Sequence, residues 1–453
     1  MINIDQMIER ARVAQKEFEE NFTTQEKVDA IVKDIGKVVY DHAEPLARLA
    51  IDETRMGVYE DKVAKNKGKS KNIWLDLKDK NSVGVIDTDE ISGLITVAKP
   101  MGVVGGITPT TNPVVTPMSK SMFAVKTRNA IIIAPHPRSK QTSTDTINHI
   151  RNILKAHGAP EDLVQIIEEP SIDLTSELMQ KVDVIVATGG MGMVKSAYSS
   201  GKPSYGVGAG NVQCIIDRGV DYDEAVKKAV DGRKFDNGII CSGEQSIIYP
   251  AEERDAIVSA LEKANAYVIP KEEVHKLTDV LFVNGMTNKD FVGMDATFIA
   301  KEVGIEVPET TKVLVVESNG GRGEEELVAK EKMCPVMGLF AYDDFEDGVA
   351  IAKANLNLEG NGHSASIHSN DPEHIQYAGQ VLTVSRLVVN AVCSTTAGGA
   401  ANNGLAVTNT LGCGSWGNNS ISENFTYKHL LNTTRIAPLS DKMVVPTDEE
   451  IWA

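Results

Sequence analysis

The run Lys234-Phe235-Asp236-Asn237-Gly238-Ile239-Ile240-Cys241-Ser242-Gly243 sets one cysteine behind an apolar pair and between two glycines. A cysteine attacks as its thiolate, and a substrate carbon must come within bonding distance of the sulfur. Glycine on both sides leaves room for that approach and permits tight turns. A small buried hydrophobe is the commoner fate of a free cysteine, and the run alone favours that plainer reading. Three other stretches are poor in charge and rich in glycine, proline or asparagine. Gly105-Gly106-Ile107-Thr108-Pro109-Thr110-Thr111-Asn112-Pro113 holds a side-chain amide between prolines. Such a donor can stabilise an oxyanion, typically worth about 10²–10³ in rate, or the Asn-Pro pair can simply turn the chain. Gly360-Asn361-Gly362-His363-Ser364 offers a base or donor at a strand start, with a structural histidine as the default. Leu411-Gly412-Cys413-Gly414-Ser415 carries the one serious rival to Cys241.

The elements that must position these residues alternate strand and helix. Ala130–Ala134 is apolar on both faces, as a buried parallel strand requires. A helix is expected from Ser143 to Ala156, and strands over Leu163–Ile167 and Val182–Ala187. The last strand runs into Thr188-Gly189-Gly190-Met191-Gly192, a glycine turn ahead of a helix, which suits a phosphate or a flat cofactor face. It is not a GxGxxG fingerprint, and Gly206-Val207-Gly208-Ala209-Gly210 is only closer to one. Beyond Asn211 the pattern repeats, with a strand at Val212–Asp217, a helix at Tyr222–Phe235, a strand at Gln245–Tyr249 and an amphipathic helix over 251–266. Val212 is the best internal boundary. The first hundred residues read as helical, with a capping box at Thr23-Thr24-Gln25-Glu26 ahead of Val28, Ile31, Ile35, Val38 and Val39. Residues 61–80, rich in lysine and asparagine, read as a solvated helix or loop. Two short alternating runs between Val83 and Ala98 predict a β-hairpin.

Composition narrows the function. The 453 residues are 42% hydrophobic and 24% charged, with a formal charge of −17, so no basic stripe exists for a nucleic-acid backbone. No apolar run approaches the roughly 20 residues that span a bilayer, and the N-terminal residues lack the layout of a signal peptide. Five cysteines without a CxxC pair fit neither a disulfide framework nor a zinc site. The expectation is a cytoplasmic protein without a metal.

Taken together and in this order, the stretches resemble the aldehyde dehydrogenase superfamily, and more closely its CoA-acylating branch, from about residue 5 to residue 437. The resemblance implies an α/β aldehyde dehydrogenase fold. A Rossmann-like cofactor domain would span residues 1–82 and 99–211, an α/β catalytic domain 212–424, and a small β oligomerisation arm 83–98 with 425–453. It assigns Cys241 as nucleophile, Asn112 as oxyanion donor with the Cys241 N–H, and His363 as a histidine characteristic of the acylating branch. It places Thr108, Pro109, Pro135, His136, Arg138, Thr188, Gly189, Gly190, Gly208 and Glu331 around a nicotinamide cofactor, with Glu331 on its ribose. Hydrolytic members carry a glutamate base in a Glu-Leu-Gly-Gly pattern, and the corresponding residue here is Gly206. Without that carboxylate little activates water, whereas a thiol such as coenzyme A ionises partly near neutral pH. Thiolysis is therefore expected over hydrolysis.

Further expectations follow from the resemblance. Ala134 stands where relatives carry a lysine, and Arg138 with Lys140 could take a 2′-phosphate, which leans toward NADP(H) over NAD(H). The chain as a whole is most similar to clostridial members that interconvert succinyl-CoA and succinate semialdehyde, with acetaldehyde and acetyl-CoA as the alternative. A succinyl tail needs a cation or several donors, for which Ser119, Lys120, Ser242, Ser394 and Thr395 are candidates. The chain ends shortly after Ile436-Ala437, where bifunctional relatives continue into an alcohol dehydrogenase, so that second activity is not expected. The strand-like stretch Phe425–Arg435 would pair with the 83–98 hairpin across a homodimer, or a dimer of dimers. A cysteine hydrolase using Cys241 with His363, or a non-catalytic scaffold, explains fewer of these stretches.

Overall fold

A computed structural model describes residues 3–453. Four helices open the chain: α1 (Ile4–Asn21), α2 (Gln25–Asp41), α3 (Ala43–Thr54) and α4 (Tyr59–Leu77). In α2 the residues Val28, Ile31, Val32, Ile35 and Val39 are all buried, the stripe that a 3.6-residue period dictates. Its cap is Thr24, which accepts from the Lys27 N–H, so the expected box at Thr23 is displaced by one residue. Residues 61–80 depart further from expectation. They form most of α4, whose inward positions Lys62, Asn66, Ser70, Ile73 and Leu77 are mainly polar and nonetheless buried.

Strands β1 (Val85–Thr88) and β2 (Ile95–Pro100) form the expected antiparallel hairpin. Five parallel strands follow: β3 (Val103–Ile107), β4 (Ala130–Ala134), β5 (Val164–Ile166), β6 (Val184–Thr188) and β7 (Ser204–Val207), in spatial order β5-β4-β3-β6-β7. Between them run α5 (Val115–Lys126), α6 (Lys140–Ala156), α7 (Ile172–Lys181) and α8 (Met191–Tyr198). Every residue of β3 and β4 is buried, because helices cover both faces of the sheet. Strand order reverses between β3 and β6, which makes the ends of those two strands the switch point where such sheets bind ligands.

A second, seven-stranded parallel sheet begins after Asn211. It contains β8 (Val212–Ile216), β9 (Glu244–Pro250), β10 (Ala266–Val268), β13 (Val313–Glu317), β14 (Val336–Tyr342), β15 (Gly362–His368) and β16 (Val384–Val389), in order β10-β13-β14-β9-β8-β15-β16. Helix α9 (Tyr222–Lys234) links β8 to β9, and β11 (Phe282–Val283) with β12 (Met286–Thr287) forms a small separate hairpin. The helix expected over 251–266 is shorter, Arg254–Lys263 behind a 3₁₀ turn, because β10 begins at Ala266. Each large sheet has its own apolar core.

Strand β17 (Leu431–Ile436) joins the hairpin, pairing antiparallel with β2 from Leu431↔Pro100 to Ile436↔Ile95. The partner foreseen across a dimer is thus met within one chain. The strand also starts later than expected. Phe425 and Leu430 are buried in the core of the first sheet, so residues 425–430 are packed there rather than in the arm. None of the described helices is long and apolar enough to cross a membrane.

Candidate active site

The chain reaches Cys241 through an unusual turn. Helix α9 ends at Lys234, and Asp236 (φ 51°), Asn237 (φ 51°) and Gly238 (φ 71°) then adopt left-handed backbone one after another. That conformation is unfavourable for residues bearing a Cβ, and it persists only where the surroundings enforce it. Cys241 follows, partly exposed, while the other four cysteines are buried. The backbone of Gly210 closes over it: a Cβ there would lie 2.0 Å from the Cys241 carbonyl oxygen, which only glycine avoids. Cys241 lies where two cavities meet, one of about 570 Å³ and one of about 260 Å³. Asn112 and Asn409 line both cavities with it.

The larger cleft sits over the switch point. Thr108 and Pro109 extend from β3, Pro135 and His136 from β4, and Thr188 ends β6 with Gly189 and Gly190 following it. Gly208 and Glu331 complete the wall nearest Cys241. Nothing lies within 4 Å of a Cβ placed on Gly190, so the turn presents open backbone to the cleft. Gly208 is the opposite case: its Cβ would lie 2.2 Å from the Met191 sulfur. A cleft of this size, with a bare glycine turn and one carboxyl in its lining, fits a nicotinamide and its ribose. That carboxyl, Glu331, accepts from the Gly210 N–H at 3.2 Å. Burial, with Glu359 adding, pushes it up to about 8. Arg138 does not line the cleft. It is exposed, and its N–H donates to His136 Nδ1 at 3.1 Å. Lys140 is paired with Glu169 instead of standing free beside it.

The smaller chamber lies on the other side of the sulfur. Ser242, Ser394 and Thr395 line it, and the Ser242 hydroxyl donates to the Ser394 carbonyl at 3.3 Å. Ser119 and Lys120 are elsewhere, which corrects their reading as substrate ligands. Both are buried in α5. Ser119 donates to the Thr116 carbonyl at 3.1 Å, and Lys120 Nζ bridges the carbonyls of Ile107 and Val186, tying β3 to β6. The chamber's cations come from α4 instead. Lys65 and Lys69, four residues apart and so on one helix face, both line it. Lys65 is ion-paired with Asp236 at 2.6 Å. Lys69 Nζ donates to the carbonyls of Gly398 and Thr408 at 3.2 and 3.1 Å, leaving one N–H for a ligand. Burial lowers it to about 8, opposed by the pull of Cys241.

Electrostatics at the sulfur pull in opposite directions. Burial pushes the Cys241 thiol up to about 12, and the charges of Glu331 and Cys413 add to this. Arg386 opposes them. It is 3% exposed and has no ion pair among the described residues. Its guanidinium donates to Ser364 Oγ (3.1 Å), Asn424 Oδ1 (3.1 Å) and the carbonyls of His363 (2.6 Å) and Gly412 (2.9 Å), all neutral acceptors. His363 lines neither cavity and is fully buried, with both ring nitrogens unpartnered. Burial, then Arg386, lowers it to about 3, so it is a neutral imidazole behind Gly210. Cys413, the sequence's rival nucleophile, is buried with its thiol on the Leu411 carbonyl, 3.4 Å away.

Gly206, in β7, is packed against α8. A Cβ there would lie 2.7 Å from Val194 Cγ1 and 2.8 Å from Tyr198 Cε2, and its N–H donates to the Tyr198 hydroxyl at 2.9 Å. Side chains of α8 fill the space where a glutamate would begin.

Residues 2–280 match the aldehyde dehydrogenase family, and the chain belongs to it. A succinate-semialdehyde dehydrogenase (acetylating) from Clostridium kluyveri is 52% identical over 452 residues, covering 100% of this chain and 99% of that one. An acetylating aldehyde dehydrogenase from Geobacillus thermoglucosidasius superposes with a TM-score of 0.93 at 36% identity, over 98% of both chains. A propionaldehyde dehydrogenase from Rhodopseudomonas palustris, solved with bound CoA and an acylated cysteine, gives 0.87 at 28% identity, over 96% of this chain and 97% of that one.

Proposed function

We propose that the protein is a CoA-acylating aldehyde dehydrogenase that reversibly reduces succinyl-CoA to succinate semialdehyde through a thioester on Cys241. One observation carries this reading: Cys241 divides a glycine-floored cofactor cleft from a chamber that offers a lysine to an anionic acyl tail. The likeness to the Clostridium kluyveri enzyme points the same way. In the reductive direction the Cys241 sulfur gives up its thiol proton and attacks the acyl carbon, the carbon–sulfur bond to CoA breaks, and the CoA thiolate takes up that one proton as it leaves. Asn112 and the Cys241 N–H hold the oxyanion that forms at each addition. The nicotinamide cofactor supplies the hydride when bound, held by the Thr188–Gly190 turn, Thr108, Pro109, Pro135, His136, Gly208 and Glu331. The thiohemiacetal left on Cys241 then collapses, freeing the aldehyde and the sulfur.

Lys69 takes the distal carboxylate, with the unpartnered Ser394 hydroxyl as a further donor, while Ser242 and Thr395, whose hydroxyls already donate to the Ser394 and Val392 carbonyls, shape the wall. Arg138, exposed and next in the chain to the cleft-lining Pro137, meets a 2′-phosphate, which favours NADP(H) over NAD(H). His363 acts on the site through the backbone and Arg386 and not as a base, because its ring is buried away from both cavities. With Gly206 in place of the hydrolytic glutamate, the acyl group leaves to a thiol. The open edges of the β1-β2-β17 sheet are the contact surface of a cytoplasmic homodimer or dimer of dimers. The test is a panel of acetyl-, butyryl- and succinyl-CoA with NADPH and NADH, followed by nicotinamide absorbance. Succinyl-CoA with NADPH is expected to give the highest kcat/KM, and Cys241→Ala to abolish turnover while retaining cofactor binding. Near-normal activity in Cys241→Ala overturns the assignment.

A further inference from the structure

The turn before Cys241 poses a problem that the active site alone does not solve. Two successive residues with side chains, Asp236 and Asn237, are held left-handed without glycine's freedom. Their restraints come mostly from outside the catalytic sheet. The Asp236 carboxylate accepts from the Val58 N–H at 2.9 Å, from Lys62 Nζ at 3.1 Å and from Lys65 Nζ at 2.6 Å. The Asp236 N–H donates to the Asp61 carboxylate at 2.8 Å. All four partners belong to the first turns of α4 or the residue just before it. Asn237 is fixed in turn by donating to the Gly293 carbonyl, which also takes the Gly57 N–H, both at 2.9 Å.

We propose that Asp236 is a positioning residue for the nucleophile: its ion pairs with Lys62 and Lys65 fasten the left-handed turn ahead of Cys241 to α4. Asp236 is fully buried and Lys62 is 3% exposed, so neither charge has water as an alternative partner. One turn further along, the same helix presents Lys69 to the chamber. The sulfur and the cation that receives the far end of the substrate are thereby referenced to one rigid element, although Cys241 and α4 lie with different sheets. Lys65 lines the chamber too, but its ammonium is engaged by Asp236, so that Lys69 is the chamber lysine with no carboxylate partner.

The proposal rests on Cys241 as nucleophile and not on the identity of the acyl group. The test uses the full-length protein and two readouts: the rate at which iodoacetamide alkylates Cys241, followed at the peptide level, and kcat with succinyl- and butyryl-CoA. Misplacing a reacting atom by 1 Å can cost about 10²-fold. Asp236→Asn is expected to slow alkylation and kcat at least about tenfold for both thioesters, with NADPH affinity unchanged. Lys65→Gln, which leaves Lys62 on the carboxylate, should give a smaller loss of the same kind, and Asp236→Glu should recover part of it. A structural role alone would lower thermal stability without slowing alkylation of the folded protein. Alkylation and kcat within about twofold of the wild type in Asp236→Asn overturn the proposal. If that variant does not fold, unchanged alkylation in Lys65→Gln overturns it. Should the wild type reduce no acyl-CoA, the functional reading falls, while alkylation still decides the role of Asp236.

Discussion

Replacing Lys69 with methionine keeps most of the apolar stem of the side chain and removes the ammonium with its charge and donors. Lys69 has no carboxylate of its own, and two of its N–H groups are taken by the carbonyls of Gly398 and Thr408. The third is what a succinyl carboxylate would meet. A hydrogen bond to a charged group contributes about 1.5–3 kcal/mol, and about 1.36 kcal/mol is tenfold. Lys69→Met should therefore lower kcat/KM for succinyl-CoA about 10- to 150-fold. Butyryl-CoA has the same chain without the anion and should lose less than about threefold. The pH profile adds a second signature. Lys69 is held down to about 8 by burial, and it is cationic only below that value. Wild-type kcat/KM for succinyl-CoA should fall as pH rises through about 8, a limb that butyryl-CoA and Lys69→Met should lack. Initial rates with both thioesters from about pH 6.5 to 9.5 measure all of this. Equal losses for the two substrates in Lys69→Met would falsify the assignment of the chamber to an anionic tail.

Three other perturbations test the site. Asn112→Ala should reduce kcat by about 10²–10³ with KM little changed, since an oxyanion donor acts in the transition state; an unchanged kcat would remove it from the mechanism. Arg386→Met takes away a charge that draws the Cys241 thiol down. The pH dependence of alkylation should then move to higher pH, with neutral-pH rates falling on the order of tenfold for each pH step the profile moves; an unmoved profile refutes that influence. Lys120→Met, which breaks the bridge between Ile107 and Val186, should lower Tm and leave KM for succinyl-CoA unchanged; a large KM effect would return Lys120 to the substrate.

How far each residue can be read from the chain follows from how it does its work. Strands such as Ala130–Ala134 announce themselves because burial on both faces demands a continuous apolar run. The glycine turn at Thr188–Gly190 and the amide at Asn112 show through the backbone geometry they require. Cys241 stands out for the same reason. The cations of α4 do not, because a buried polar helix face and a solvated one are spelled with the same letters. Lys62, Lys65 and Lys69 do recur at helical spacing beside Asn66 and Ser70, and that is the signal the sequence holds. Lys120 misleads because its partners are carbonyls at the ends of two parallel strands, a juxtaposition that only topology creates. Arg386 lacks any signal: its importance lies in the absence of a nearby carboxylate, which no sequence pattern records.

The packing of Gly206 bears on how such an enzyme can change over generations. Placing a glutamate there is a short step in codons and a long one in space, since its Cβ would collide with Val194 and Tyr198. Overpacking of that kind costs about 1–3 kcal/mol before any new carboxylate can reach the site. Val194 and Tyr198 would have to shrink first, and the Tyr198 hydroxyl is itself bonded to the Gly206 and Ser420 N–H groups. Water therefore gains no base from a change at this position alone, and the acyl thioester is left to a thiol.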